Sequence, residues 1–128
     1  MTDKFTVEII TPNKSILKSD ASEVTIPSYE GYMGILKDHI PLITFLRPGI
    51  ILIKNGEDKK YYVEEGTVEF SNNNLLILTS TVKNLKNINK ININELLSNV
   101  EKLKKNNLSD KENYIASYKI DTLKEIIK

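Results

Sequence analysis

Side chains suited to bond chemistry are few in this 128-residue chain. His39 is the single histidine and cysteine is absent. Thiol nucleophiles, thiolate metal sites and a disulfide framework are therefore excluded. Carboxylates stand side by side at Glu57-Asp58 and Glu64-Glu65. Such pairs can move protons when a fold buries them together, but at a turn or strand end they read as a solvated surface. A metal site needs several convergent ligands, and no His/Asp/Glu cluster stands at helical spacing. His39 precedes Ile40-Pro41 in a turn-rich stretch and reads as a loop-structuring residue rather than a base. Gly31 and Gly34 bracket Tyr32-Met33. No Lys-Ser/Thr follows and no helix begins there, so the glycines form no phosphate cradle. Tyr32 and Met33 read either as core or as an exposed contact tip. No catalytic residue, metal or cofactor is expected.

Charge narrows the partners. Lys+Arg is 18 and Asp+Glu is 17, a net of +1, whereas a general nucleic-acid binder is usually far more basic. Residues 1–83 carry 9 basic and 11 acidic groups and residues 84–128 carry 9 and 6, so the tail is the basic part. Lysine outnumbers arginine 17 to 1, which reads as codon bias rather than chemistry. With 40% apolar and 27% charged residues, the chain is expected to fold. No apolar run approaches the roughly 20 residues that span a bilayer. Met1-Thr2-Asp3-Lys4-Phe5 leads straight into a strand pattern without the marks of a targeting segment. A soluble protein acting where it is made is the expectation.

The elements that must position these residues divide the chain in two. Phe5 to Ile9 alternates apolar and polar side chains, the period of a half-buried strand. Val24-Thr25-Ile26 does the same and is expected to close at Pro27. Asn55-Gly56-Glu57-Asp58 and Asn72-Asn73-Asn74 each lie between β-rich runs and predict hairpins. Pro48-Gly49 predicts a turn. Tyr61-Tyr62 should point to opposite faces of a strand, one into the core and the other to the surface or an interface. Roughly eight to ten short strands in about 80 residues point to an all-β sandwich or barrel. Lys83 to Asn94 reads as an extended connector. From Glu95, with Asn94 as N-cap, Leu96, Leu97, Val100 and Leu103 follow a helical period. Ser109-Asp110-Lys111-Glu112 fits a capping box and opens a second helix to about Ile127, with Ile115, Tyr118, Leu123 and Ile126 as its stripe. The short linker makes the two an antiparallel α-helical hairpin. The expected domains are a β-sandwich over 1–83 and a helical hairpin tail over 84–128.

One long pattern is far more specific than these periodicities. Glu30, Gly31, Gly34, Ile35, His39, Pro41, Leu42, Thr44, Pro48 and Gly49 stand at a spacing that resembles the signature of the epsilon subunit of F-type ATP synthases. Val7-Glu8-Ile9-Ile10-Thr11-Pro12 resembles that family's first strand, and Glu65-Gly66-Thr67-Val68-Glu69 its G-G-x-x-E stretch. The two-helix tail is the family's architecture as well.

The resemblance implies a non-catalytic rotor subunit. Its sandwich would sit at the foot of the central stalk, bind the gamma subunit and rest on the ring of membrane-embedded c subunits. Its hairpin would fold against the sandwich or extend toward the catalytic head and restrain ATP hydrolysis. Glu30, Gly31, Tyr32 and Met33 would then be c-ring contacts, and Gly34, His39, Pro41, Pro48 and Gly49 would structure the loop. Lys102, Lys104 and Lys105 would be the basic contacts of the inhibitory tail, alongside Lys111, Lys119, Lys124 and Lys128 of the second helix. Membrane association would be indirect, on the cytoplasmic face of a bacterial inner membrane or the stromal side of a plastid thylakoid. Two departures matter. Lys37-Asp38 replaces the family's Pro-Gly, which predicts a less rigid loop. Asn94, Leu97 and Ser98 replace the Asp, Arg and Ala of an ATP-binding motif found in some members, so tight ATP binding is not expected. The alternative is a stand-alone ligand- or peptide-binding β domain with a regulatory helical tail.

Overall fold

The computed structural model describes residues 3–88, 90–104, 106 and 108–127. Lys105 and Lys128, two of the tail lysines singled out above, lie outside them. Ten strands precede two helices among the described residues. They are β1 (Phe5–Ile10), β2 (Ser15–Ala21), β3 (Glu23–Ser28), β4 (Gly31–Leu36), β5 (Leu42–Leu46), β6 (Gly49–Asn55), β7 (Glu57–Val63), β8 (Gly66–Ser71), β9 (Asn74–Thr79), β10 (Val82–Asn84), α1 (Lys90–Lys104) and α2 (Asp110–Ile127). The pairing order is β10-β7-β6-β3-β5-β8-β9-β1-β2, with β4 on the other side of β3. β1 and β9 run parallel, and the other pairs are antiparallel.

The period of two does its expected work. Phe5, Val7 and Ile9 of β1 point inward with Ile51 and Ile53 of β6, Val68 and Phe70 of β8 and Leu75 and Ile77 of β9. Each such side chain contributes about 1.5–3 kcal/mol by leaving water. The rings of Phe5 and Phe70 meet edge to face at 5.6 Å. The β8–β9 hairpin is as predicted, and its turn is tight: Ser71 faces Asn74, with Asn72 at φ 50° and Asn73 at φ 58°. Asparagine tolerates this left-handed region better than most residues.

Four expectations change. β3 does not close at Pro27 but runs through it to Ser28. Its first half pairs with β6, while Ser28 pairs with Leu46 of β5. Pro27 sits where the partner changes, a place where a missing N–H is tolerated, and its carbonyl accepts from the Arg47 N–H at 3.0 Å. The loop read around Gly31 and Gly34 is a tight turn at Tyr29-Glu30 that leads directly into strand β4. The segment after Lys83 is not one extended connector: β10 pairs with β7, a 3₁₀ turn covers Leu85–Asn87, and α1 already begins at Lys90. Asn94 is therefore inside the helix and not its cap. The earlier start turns Ile93 into a buried contact against Tyr62 and Leu123, and tertiary burial outweighs a local cap preference. The capping box of α2 forms as expected. The Ser109 N–H donates to Glu112 Oε1, and the Glu112 N–H donates to Ser109 Oγ, both at 3.2 Å.

Tyr61 and Tyr62 do point to opposite faces, yet both are buried. Tyr61 joins the β core. Tyr62 joins a second cluster outside the sheet, with Ile93, Leu123, Leu85, Ile88, Leu96, Leu97 and Ile126. The helical hairpin is what covers that outer face. Because no helix residue belongs to the β cluster among the described residues, a truncation ending at Lys83 is expected to unfold cooperatively with β-type circular dichroism. It should lose roughly 2–3 kcal/mol as Tyr62 returns to water. Denaturant unfolding followed by circular dichroism checks this, and a truncation without a cooperative transition would show that the helices complete the core.

Candidate functional site: a tyrosine–arginine seam and an apolar sheet face

The β3–β4 hairpin turns through Tyr29 and Glu30, with Ser28 opposite Gly31. Gly31 lies at φ 117°, a region that side chains with a Cβ rarely enter. Its carbonyl accepts from Ser28 Oγ at 2.7 Å. The hairpin separates the two residues that sequence left open. Met33 is half-buried and packs against the β core, whereas Tyr32 is 52% exposed on the other face. Glu30 is exposed at the turn, and Gly34 is an exposed strand residue without positive φ. Gly49 is not a left-handed turn residue either. A Cβ there would lie 2.5 Å from Pro27 Cβ and 3.1 Å from the Tyr32 hydroxyl, so this glycine permits close approach of β6 to the hairpin.

Arg47, the only arginine in the chain, sits beneath Tyr32. It is 7% exposed. Its guanidinium carbon lies 5.0 Å from the Tyr32 ring centre and 4.0 Å from that of Tyr118 on α2. Its Nη1 donates to the Pro48 carbonyl at 2.8 Å, while Nε has no partner among the described residues. The same carbonyl accepts from Thr122 Oγ1 of α2 at 3.4 Å. Next to it the Tyr29 and Tyr114 rings stack at 5.6 Å, Tyr114 meets Tyr118 edge-on at 4.8 Å, and the Tyr114 hydroxyl donates to the Tyr29 carbonyl at 3.3 Å. Four tyrosines and one cation thus join β3, β4 and the residues before β6 to α2.

Glu64 adds a second tie. It was read as solvated, but one oxygen accepts from the Tyr62 hydroxyl at 2.9 Å and the other lies 3.6 Å from Lys119 Nζ. Lys119 is therefore engaged within the chain rather than offered outward. Lys104 Nζ donates to Ser117 Oγ at 2.8 Å, and Lys102, Lys111 and Lys124 are exposed.

The second surface is apolar. Ile43 and Phe45 of β5 point outward at 74% and 57% exposure, with Leu78 of β9 on the same sheet and Ile40 in the preceding loop. Phe45 faces Thr67, which faces Leu78. The loop before β5 makes several contacts within the chain. His39 Nδ1 lies 2.7 Å from the Ile40 carbonyl, its ring meets Phe70 edge-on at 6.0 Å, and its N–H donates to the Leu36 carbonyl. Asp38, at φ 65°, takes its N–H to Asn73 Oδ1 at 2.7 Å and accepts from Asn73 Nδ2 at 2.9 Å. Asp38 is thus tied to the β8–β9 turn, a contact that the reading of a less rigid loop did not include. Pro41 leads directly into β5. Sequence reasoning missed this surface and the seam. The run Leu42 to Leu46, apolar but for Thr44, was the available signal for the first, since a strand apolar at both parities is covered on both faces. The seam left none, because its members are far apart in the chain.

Among the described residues no group of acidic, histidine or cysteine side chains is placed to hold a metal, and no helix is long and apolar enough to cross a membrane.

The fold and the matching domain define a class first: residues 4–84 match the ATP synthase delta/epsilon chain β-sandwich domain. Relatives extend this to the whole chain. The ATP synthase epsilon chain of Pelagibacter ubique is 52% identical over 130 residues, covering 98% of this chain and 99% of the relative. That of Myxococcus xanthus is 37% identical over 81 residues, covering 62% of this chain and 60% of the relative. The chain belongs to the ATP synthase epsilon-chain family. The same fold occurs in the Euglena gracilis mitochondrial ATP synthase, with a TM-score of 0.82 at 20% identity over 100% of this chain and 84% of that one. It occurs again in the central stalk/c-ring structure of the Tetrahymena thermophila enzyme, with a TM-score of 0.67 at 17% identity over 99% and 98%.

Burial, then the Glu64 charge and its hydrogen bond, raise the Tyr62 pKa above the ordinary 10.0. The folded chain therefore keeps the Tyr62 proton at pH values where the unfolded chain releases it. This contribution is complete below pH 10 and is lost as pH rises beyond it. Tyr62→Phe is expected to cost about 1 kcal/mol at neutral pH through the lost hydrogen bond and to flatten part of the alkaline loss. Denaturant titrations of both proteins from pH 8 to 11 check this. Equal alkaline slopes would exclude Tyr62 as a source.

Proposed function

We propose that this chain is a non-catalytic central-stalk subunit that helps couple ion transport to ATP synthesis and restrains ATP hydrolysis through its helices. Whole-length identity to an epsilon chain, 52% across both tail and sandwich, is the observation that carries this reading. The solved neighbours come from F1/c-ring and central stalk/c-ring assemblies, which supports the gamma subunit and the c ring as partners. Membrane association would then be peripheral, through the complex, on the cytoplasmic face.

Each surface suits one task. The Ile43–Phe45–Leu78 face, held by the His39 and Asp38 contacts, suits an apolar docking partner, and we assign it to gamma. Apolar anchors buried at the centre of an interface supply most of its affinity. The turn at Glu30 and Gly31, with Tyr32, suits the ring. Met33 serves the core side of that hairpin. The exposed Lys102 and Lys104, with Lys105, are the basic contacts offered to the catalytic head when the hairpin extends.

Ile43→Asp with Phe45→Asp is expected to weaken gamma binding by tenfold or more, about 1.4 kcal/mol, while thermal unfolding stays cooperative. A normal affinity in a pull-down with purified gamma would remove the face from the interface. Deleting residues 84–128 is expected to raise ATP hydrolysis by the assembled complex. Lys102→Gln, Lys104→Gln and Lys105→Gln together should give part of that rise, most at low salt, because screening shortens to about 8 Å at 0.15 M. An unchanged rate after the full deletion would leave the tail without an inhibitory role.

A further inference from the structure

Arg47 lacks the compensation that a buried cation usually has. It forms no ion pair among the described residues, its Nε has no hydrogen-bond partner there, and one carbonyl accepts from Nη1. Burial of an unpaired charge is costly, and what remains to offset it is the two tyrosine rings at 4.0 and 5.0 Å. Those rings belong to different units, Tyr32 to β4 and Tyr118 to α2. A planar guanidinium can serve two π faces at once, which an ammonium does less well.

We propose that Arg47 is a positioning residue that couples the β3–β4 hairpin to the docking of α2. With Tyr32 seated, the cation is desolvated and its attraction to Tyr118 is strong. When Tyr32 is drawn away, water reaches the guanidinium, that attraction weakens, and α2 is held mainly by Tyr62, Leu123 and the Tyr29–Tyr114 stack. The coupling is reciprocal by linkage: release of α2 frees Tyr32. If the hairpin carries the ring contact, as proposed above, occupancy of the ring and release of the helices are linked through one side chain. That consequence rests on the proposed function, whereas the coupling itself does not.

The full-length protein tests it by hydrogen–deuterium exchange, read in peptides spanning residues 114–123. Tyr32→Leu is expected to speed exchange there by about fivefold, within the usual range of coupling factors, with β1 and β9 unchanged. Tyr32→Phe, which keeps the ring and loses only the hydroxyl that accepts from the Ile50 N–H at 3.2 Å, should stay near the parent value. In an Arg47→Met background the leucine substitution should add nothing. Should Arg47→Met lose protection in the β core, Arg47→Lys replaces it, and there the Tyr32→Leu effect should shrink. Unchanged α2 exchange in Tyr32→Leu overturns the proposal, as does an effect of the same size with and without the guanidinium. Hydrolysis by complexes carrying Tyr32→Leu separates the two readings. Faster α2 exchange with unchanged hydrolysis would keep the coupling and sink the restraining role of the tail.

Discussion

Everything above the sandwich depends on the burial of Tyr62 on the outer face of a strand whose inner face is already full. Tyr61 and Tyr62 are consecutive, so one strand anchors two separate clusters. The inner one closes the sandwich with strands alone. The outer one exists only while α1 and α2 lie against β6 and β7. Its apolar part is small: Tyr62, Ile93 and Leu123, with partly buried neighbours around them. The ion pair between Lys119 and Glu64 is about a quarter exposed on each side, and pairs of that kind contribute about 0–1 kcal/mol. Local opening follows local contact energy. The joint between tail and sandwich thus rests on few fully buried apolar side chains, and it opens more readily than the β core.

The two surfaces are built from different kinds of contact. The apolar face of β5 and β9 stands on the filled core and is bordered by the His39 and Asp38–Asn73 clamps. A face ordered before docking loses little entropy on binding. The seam is assembled from elements distant in sequence, with a cation that lacks a carboxylate. It suits a contact that must break.

How much of this was legible follows from what a periodic pattern records. Alternation in β1 and β3 reports which face is covered, and the residues it marks, Phe5, Val7, Ile9, Val24 and Ile26, lie in the core. Local chemistry was legible as well: the Ser109–Glu112 box and the Asn72-Asn73 turn need only neighbours. Pattern does not report what does the covering. One of Tyr61 and Tyr62 read as surface or interface because the cover of the outward ring, which is Tyr62, lies in residues 93 and 123. Asn94 read as a cap because the pull on Ile93 comes from a strand some 30 residues earlier. The Tyr29–Tyr114 contact joins positions 85 apart, and no spacing rule reaches that far. The loop around Asp38 read as loosened because its clamp, Asn73, is in another hairpin.

Arg47 shows the same limit from the side of composition. A lone arginine among seventeen lysines looks like an accident of codon usage. Its surroundings assign it a task that lysine performs poorly, because a planar, weakly hydrated cation can lie buried against two rings. The lysines then divide by geometry as well. Lys119 pairs with Glu64 of the sandwich, while Lys102, Lys104, Lys111 and Lys124 are exposed. The net charge of the tail therefore overstates what a docked hairpin can offer a partner. Extension would break the Lys119–Glu64 pair and expose that charge, so the basic surface and the release of the joint increase together.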